Sequence, residues 1–352
     1  MTVDGLRASA VIRDGAHDIV EAALDLQWGR WPRLQDSLTP RQLVNVRQDT
    51  RYHVDFLASS LWAGEPLLFD DYVRWVKVLF ENLDLPQEWL TGSLADVGAA
   101  MEDLLGEQAA AGTAMLSHAL ERIDAFDTGT VSFIEPDQPH GALAVRYLGA
   151  VLGGDRFGAS EAVLDAVAEG APVKEIYTYV FQRAQLELGR LWQSNRITVA
   201  QEHYATAVTQ MVMSQLYPHI FSSEKNGRTL VAACVGGELH EMGMRMVADF
   251  FEMDSWDTHY IGANTPPASI VDAALRTGAD VIALSATMSF HVPEIADVID
   301  AVRSDPHARG VKVIVGGYPF NLAPELWRRV GADGSAHDAP AAIELATRLA
   351  IA

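Results

Sequence analysis

The chain carries one cysteine, Cys234, among its 352 residues. A single thiol rules out an intramolecular disulfide and any zinc site built from several cysteines. Positive charge is also scarce. Lys and Arg number 26 against 47 Asp and Glu, a formal net charge of −21. Phosphate contacts need clustered Lys and Arg, so direct nucleic-acid binding through a basic face is not expected. No apolar run reaches the ~20 residues that span a bilayer, and no membrane association is expected. The opening, MTVDGLRASAVIRDG, has neither the basic start nor the continuous apolar segment of a secretory signal. A cytoplasmic location is therefore expected. Gly-x-Gly-x-x-Gly and the P-loop are both missing, so dinucleotide and nucleoside triphosphate binding have no motif behind them.

Hydrophobic residues make up 49% and charged residues 21%, the balance of an ordinary globular protein. The length exceeds what one core usually fills, so two or three domains are expected. Residues 1–127 read as all-helical. Thr39-Pro40 is a helix start, with a capping hydroxyl and Pro at the first helical position. Thr50, Val54, Leu57, Ala58 and Leu61 follow at helical spacing, as do Leu68, Tyr72, Trp75, Val76, Leu79 and Leu83. Further helices are predicted over 91–105 and 107–125. This segment holds 10 basic and 21 acidic residues, which is no DNA-binding arm.

The stretch DTGTVSFIEPDQPHG breaks the periodicity, and 128–140 reads as a linker. A four-helix segment is predicted over 141–225. Tyr177, Val180, Phe181, Ala184, Leu188, Leu191 and Trp192 share one face, and Thr198 with Gln201 forms a capping box. From 226 to 352 strands alternate with helices. Strands read as 229–235, 257–261, 280–285 and 311–315, with a weaker fifth at 332–336. Helices read as 241–252, 267–277, 292–304, 322–329 and 338–350. The fold class is thus α plus α/β: a helical N-terminal domain, a helical bundle, and a Rossmann-like, flavodoxin-type parallel sheet. Such sheets bind ligands beyond the carboxyl ends of their strands. Glu238-Leu239-His240, Ser285, Thr287 and Gly316-Gly317 all fall there.

His240 sits where the first strand stops and a helix begins. That position suits a metal ligand or an acid–base group, although a lone His in such a loop is more often a satisfied polar residue. Glu238 can hydrogen-bond the ring nitrogen facing away from a metal. Gly243 lets something bulky approach the start of the helix. Forty-one residues separate Gly243 from Ser285-x-Thr287, and 28 more precede Gly316-Gly317.

This spacing resembles the B12-binding domain family, whose pattern is Asp-x-His-x-x-Gly, then Ser-x-Leu or Ser-x-Thr, then Gly-Gly. The resemblance implies that His240 is the lower axial ligand of cobalt, with Glu238 in the place of the usual Asp and Leu239 between them. It implies that Ser285, Thr287, Gly316 and Gly317, with Tyr318 beside them, line the pocket for the displaced nucleotide tail. In the bundle, Trp192, nine residues, then Glu202-His203 resembles the light-sensing members of the family. There the Trp packs over the adenosyl group and the Glu and His lie around it. Gln193 departs from that pattern: the light-sensing repressors have a cobalt-ligating His at its place. The resemblance implies adenosylcobalamin as cofactor, with light cleaving the cobalt–carbon bond and shifting domain packing.

The whole layout also resembles photocobilins, in which a globin-like helical domain accompanies the B12 unit and a bilin is a second chromophore. On that likeness, Arg47, Arg51, Tyr52 and His53 are candidate contacts for a non-covalent biliverdin. Taken singly, each better suits a solvated helix face with partly buried aromatics. The expected output is signalling through a partner of unidentified kind, in a homo-oligomer, with no catalysis by the chain itself. Two rivals stay open: a corrinoid carrier that shuttles methyl groups between methyltransferases, and a flavodoxin-like regulator in which His240 is structural.

Overall fold

The computed structural model describes residues 3–221 and 224–351. It divides into two units: one holds the chain up to Thr128 with Thr287–Ala296 and Tyr318–Val330, and the other holds the remainder.

Among the described residues, the stretch of the first unit up to Thr128 holds seven α-helices: α1 (Val3–Asp14), α2 (Ala16–Arg30), α3 (Pro32–Ser37), α4 (Pro40–Ala63), α5 (Pro66–Asn82), α6 (Gln87–Leu105) and α7 (Ala110–Arg122). Proline opens α3, α4 and α5, where its missing N–H costs nothing. Thr39 and Gln42 close a capping box on α4, as the sequence predicts, and Gly64 ends that helix at φ +71°. Leu57, Phe69, Val73, Leu90, Leu94 and Val97 are fully buried in its core. Two segments assigned from sequence to the α/β part complete this unit. Phe290 meets Phe56 edge-on, with ring centroids 5.1 Å apart, and stacks on Tyr52 at 6.0 Å. The Arg329 guanidinium donates to the Trp62 carbonyl at 2.6 Å. These loops carry apolar and cationic side chains that the periodicity of 226–352 did not separate from their own sheet.

In the second unit, α8 (Gly141–Leu152) and α9 (Arg156–Ala168) are followed by a long helix. Its first turn, α10 (Val173–Glu175), runs through a π-helical stretch (Ile176–Phe181) into α11 (Gln182–Gln193). Then come α12 (Val199–Gln215) and the short α13 (Tyr217–Ile220). Thr198 and Gln201 form the expected capping box on α12. The stretch read as a linker is pinned to this bundle. Phe133 N–H donates to the buried Glu187 carboxylate at 3.0 Å, and Arg190 holds the same carboxylate. Gly141 closes the stretch, because a Cβ there would lie 2.1 Å from the Glu135 carbonyl oxygen.

The remaining elements are β1 (Thr229–Cys234), α14 (Met242–Met253), β2 (Asp257–Tyr260), α15 (Pro267–Thr277), β3 (Val281–Ser285), α16 (Val292–Ser304), β4 (Lys312–Gly316), α17 (Tyr318–Leu322), α18 (Leu326–Val330), β5 (Gly334–Ser335) and α19 (Ala339–Ile351). The helix expected at 322–329 is split into α17 and α18, with Pro324 between them, a residue that removes a donor and clashes with the preceding turn. All strands pair in parallel, in the order β2-β1-β3-β4-β5. This is the flavodoxin-type order, and its topological switch lies between β1 and β3. The loop that leaves β1 at that switch carries Glu238 and His240. Met242, Met246 and Phe250 of α14 share one apolar core with Tyr177, Phe181 and Val212, so the bundle caps this helix.

Candidate functional site

Beyond β1 the chain turns through Gly237 at φ +78°, and the Glu238 N–H closes the turn on the Val235 carbonyl at 3.1 Å. The turn drives the Glu238 side chain inward until it is fully buried. Its Oε1 then accepts twice from His240: from the backbone N–H at 2.8 Å and from ring Nδ1 at 2.6 Å. The imidazole itself remains 57% exposed. With Nδ1 committed to the carboxylate, Nε2 is the nitrogen left for a ligand. The Glu238 hydrogen bond raises the His240 pKa; partial burial opposes this, and the charges of Glu238 and Glu202 add to the rise.

Residues that the sequence reading missed hold this loop. Asn264, in the left-handed region at φ +51°, accepts from Gly237 N–H at 2.8 Å through its side chain and donates its own N–H to the Glu238 carbonyl at 3.0 Å. Asn tolerates that backbone better than most residues, which was the available signal. Glu241 accepts from Gln210 Nε2 of α12 at 2.9 Å and from the Tyr260 hydroxyl at 3.0 Å.

Strand register brings two expected positions, Ser285 and Gly316, into one row with Cys234. Cys234 pairs with Ser285, and Ser285 with Gly316, at the carboxyl ends of β1, β3 and β4. Burial pushes the Cys234 thiol up to about 12, with the nearby Glu238 charge adding to the rise, so it is an inert apolar neighbour. Gly317 has φ +101°, and a Cβ there would lie 2.0 Å from the Ala286 carbonyl oxygen. A Cβ on Gly316 would come to 3.1 Å from the Ala336 carbonyl, while one on Gly243 would meet nothing within 4 Å. Leu239 is 71% exposed beside His240.

On the cap, Trp192 and Gln193 end α11 and are half-buried, and Glu202 and His203 lie in the first turns of α12. Glu202 is near enough to His240 for its charge to raise the imidazole pKa. His203 Nε2 lies 3.5 Å from the Glu202 carboxylate, and its ring is 75% exposed.

Thr287 and Tyr318 belong to the other unit. There the Tyr318 hydroxyl donates to Asp71 at 2.9 Å, and burial with the Asp71 charge pushes it up to about 12. The candidate bilin contacts lie in the same unit and have partners. Arg47 is paired with Glu21, and Arg51 with Asp55 at 2.8 Å. His53 is buried and shares a 2.7 Å hydrogen bond with Tyr72, and burial lowers its pKa to about 4. Tyr52 is 37% exposed against Phe290.

Among the described residues no cluster of three or more His, Cys, Asp or Glu could hold a bare metal ion. A lone imidazole with a carboxylate behind it instead suits a metal whose equatorial positions a macrocycle already fills. The residues therefore fit a corrin-bound cobalt. Among them, too, no helix is long and apolar enough to cross a membrane.

Comparison with known proteins agrees. A family model described as B12 binding domain matches residues 228–344, and a second of the same description matches 143–217. Dimethylamine corrinoid protein 1 of Methanosarcina acetivorans is 32% identical over 138 residues, 39% of this chain and 63% of that protein. The chain thus spans a little under two thirds of that relative. Dimethylamine corrinoid protein 3 of Methanosarcina mazei is 31% identical over 138 residues, 80% of its length. The HTH-type transcriptional repressor CarA of Myxococcus xanthus is 32% identical over 123 residues, 35% of this chain and 41% of that protein. Among solved structures, the Methanosarcina barkeri monomethylamine corrinoid protein shares the fold with a TM-score of 0.53 at 20% identity, over 60% of this chain and all of its own. A buried Glu238 behind an exposed His240 at the sheet's switch point falls within the 228–344 match and the helical cap within the 143–217 match, which is what this fold offers a corrinoid; the chain belongs to the family of B12-binding proteins.

Proposed function

We propose that this chain is a light-responsive cobalamin sensor, not an enzyme, that holds adenosylcobalamin with its own base displaced and His240 below the cobalt. Bound there, the cofactor supplies a cobalt–carbon bond weak enough for visible light to break. The observation that carries the proposal is Glu202. It lies with His203 in the first turns of α12, the helix whose Gln210 donates to Glu241 of the ligand loop at 2.9 Å, so the helix bearing the Glu202-His203 pair is docked on that loop. Glu238 fixes the His240 tautomer and leaves Nε2 to the metal. Trp192 offers an aromatic face for the adenosyl group, and Glu202 and His203 offer polar partners beside it. Loss of that group changes what the cap packs on, which is a ligand-dependent shift between two packings.

The relatives favour a second reading more directly. Two of the three named above are corrinoid proteins of the dimethylamine type, and a methyl carrier needs the same lower ligand. The test separates the two. Protein loaded with adenosylcobalamin in the dark is illuminated with green light, and its ultraviolet–visible spectrum is followed. The sensor reading expects tight retention of the adenosyl form and a light-driven change that His240→Ala alters. Weak retention of the adenosyl form, with methyl transfer to a partner methyltransferase, defeats it. A colourless protein after incubation with cobalamin defeats both readings.

Biliverdin in the helical unit would have to exchange its propionates for Glu21 and Asp55 on Arg47 and Arg51. Absorbance in the red after loading tests that addition.

A further inference from the structure

We infer that Glu241 is a positioning residue that couples docking of the helical cap to the setting of His240. The inference rests on His240 being the lower axial ligand.

The cap meets α14 along a polar row at four-residue spacing. Glu241, immediately before the helix, accepts from Gln210 Nε2 at 2.9 Å. Arg245, one turn on, donates to Ser214 Oγ at 3.1 Å and to the Tyr217 hydroxyl at 3.0 Å. Asp249, a turn further, accepts from the Tyr177 hydroxyl at 2.8 Å. An apolar row of Met242, Met246 and Phe250 runs beside it into the cap core. Dispersion against methionine tolerates sliding, whereas hydrogen bonds of fixed geometry do not. The polar row therefore sets the register of the cap on α14.

Of these three residues, Glu241 adjoins the ligand. Its second oxygen accepts from the Tyr260 hydroxyl at the end of β2, 3.0 Å away, and its N–H closes on the Leu239 carbonyl at 2.9 Å. One carboxylate thus ties α12, the His240 loop and β2 together. Gln210 lies about two turns beyond Glu202-His203 on the same helix. The helix bearing the upper-face groups is therefore joined to the loop bearing the lower ligand. Undocking of α12 removes one of the holders of residues 239–241 and leaves the setting of the imidazole to Glu238 and Asn264.

The full-length chain carrying Gln210→Ala, Tyr260→Phe, Glu241→Ala or Gln210→Ala/Glu241→Ala tests this. Each is loaded with hydroxocobalamin. The visible spectrum gives the fraction with histidine on cobalt, dilution gives the release rate, and amide exchange is followed in 199–215 and 236–241. Each single variant is expected to exchange faster in both segments and to release the cofactor about 3–10-fold faster, the weight of one hydrogen bond. The double variant should release no faster than Glu241→Ala, because both changes break one bridge. Wild-type release and exchange in Gln210→Ala and Tyr260→Phe overturn the inference, as do additive effects in the double variant. If Glu241→Ala does not fold, those two variants decide alone, since each removes a single half-buried donor. Wild-type protein without histidine on cobalt defeats the axial-ligand reading and this inference with it. Histidine-on wild type with insensitive variants defeats this inference alone.

Discussion

Gly243→Ala separates what the fold requires from what a bound corrinoid requires. Gly243 is the second residue of α14, and a Cβ built there meets no heavy atom within 4 Å. Nothing in the protein therefore demands glycine at this position. Alanine is the better helix former by roughly 0.8–1 kcal/mol in a helix interior, and about half of that is expected in the first turn. On the scale of about 2–4 °C per kcal/mol for a domain of this size, the cofactor-free protein should gain about 1–2 °C in Tm. The cofactor-bound state should move the other way. If the corrin lies against the start of α14, the added methyl overpacks that contact at a cost of about 1–3 kcal/mol. Cobalamin affinity then falls roughly 5- to 150-fold, at about 1.4 kcal/mol per tenfold change. Thermal unfolding without cofactor and a spectroscopic titration with cobalamin measure the two effects separately. A raised Tm with unchanged affinity refutes the placement of Gly243 against the cofactor. A lowered Tm refutes the reading of the space around it as open.

Gly317→Ala should behave in the opposite way: strain at φ +101° and the Ala286 carbonyl 2.0 Å from the new Cβ should each cost about 1–3 kcal/mol, lowering Tm with or without cofactor. Replacing Glu238 by Ala removes the hydrogen bond that raises the His240 pKa, so that pKa should fall in the cofactor-free protein, as followed by NMR titration, and cobalamin affinity should drop about 10- to 100-fold. Asp249 is pushed up to about 6 by burial, so its proton is held more tightly in the folded chain than in the unfolded one. Its contribution to stability is whole below about pH 4 and is lost as pH rises through about 6; Asp249→Asn should flatten that part of a urea-unfolding pH profile, by at most about 3 kcal/mol between pH 4 and 7.5.

Periodicity and spacing carried the sheet and its rim. An apolar run over 229–235, followed after two glycines by a carboxylate and an imidazole, already marks a strand meeting a ligand loop, and the pairing of Ser285 with Gly316 beside Cys234 puts two of the expected positions at the strands' carboxyl ends. Thr39 and Thr198 announced their helices because a capping box is local chemistry. What stayed hidden was non-local. Asn264 holds the ligand loop from 26 residues after Glu238, and nothing in the turn around it names its partner. Gln210 and Tyr260 converge on Glu241 from two other elements. Phe290 left the sheet's periodicity for the aromatic cluster of Tyr52 and Phe56. Glu238 is the instructive middle case. In sequence it stands in the place of the family's usual Asp, one methylene longer. The structure answers through the turn: with Gly237 at φ +78°, the side chain folds back so that one oxygen takes both the backbone N–H and Nδ1 of His240. The longer side chain reaches the ring because it caps the loop at the same time. Orientation of the imidazole and capping of the His240 N–H are thus a single interaction, and removing the Glu238 carboxylate should disturb both.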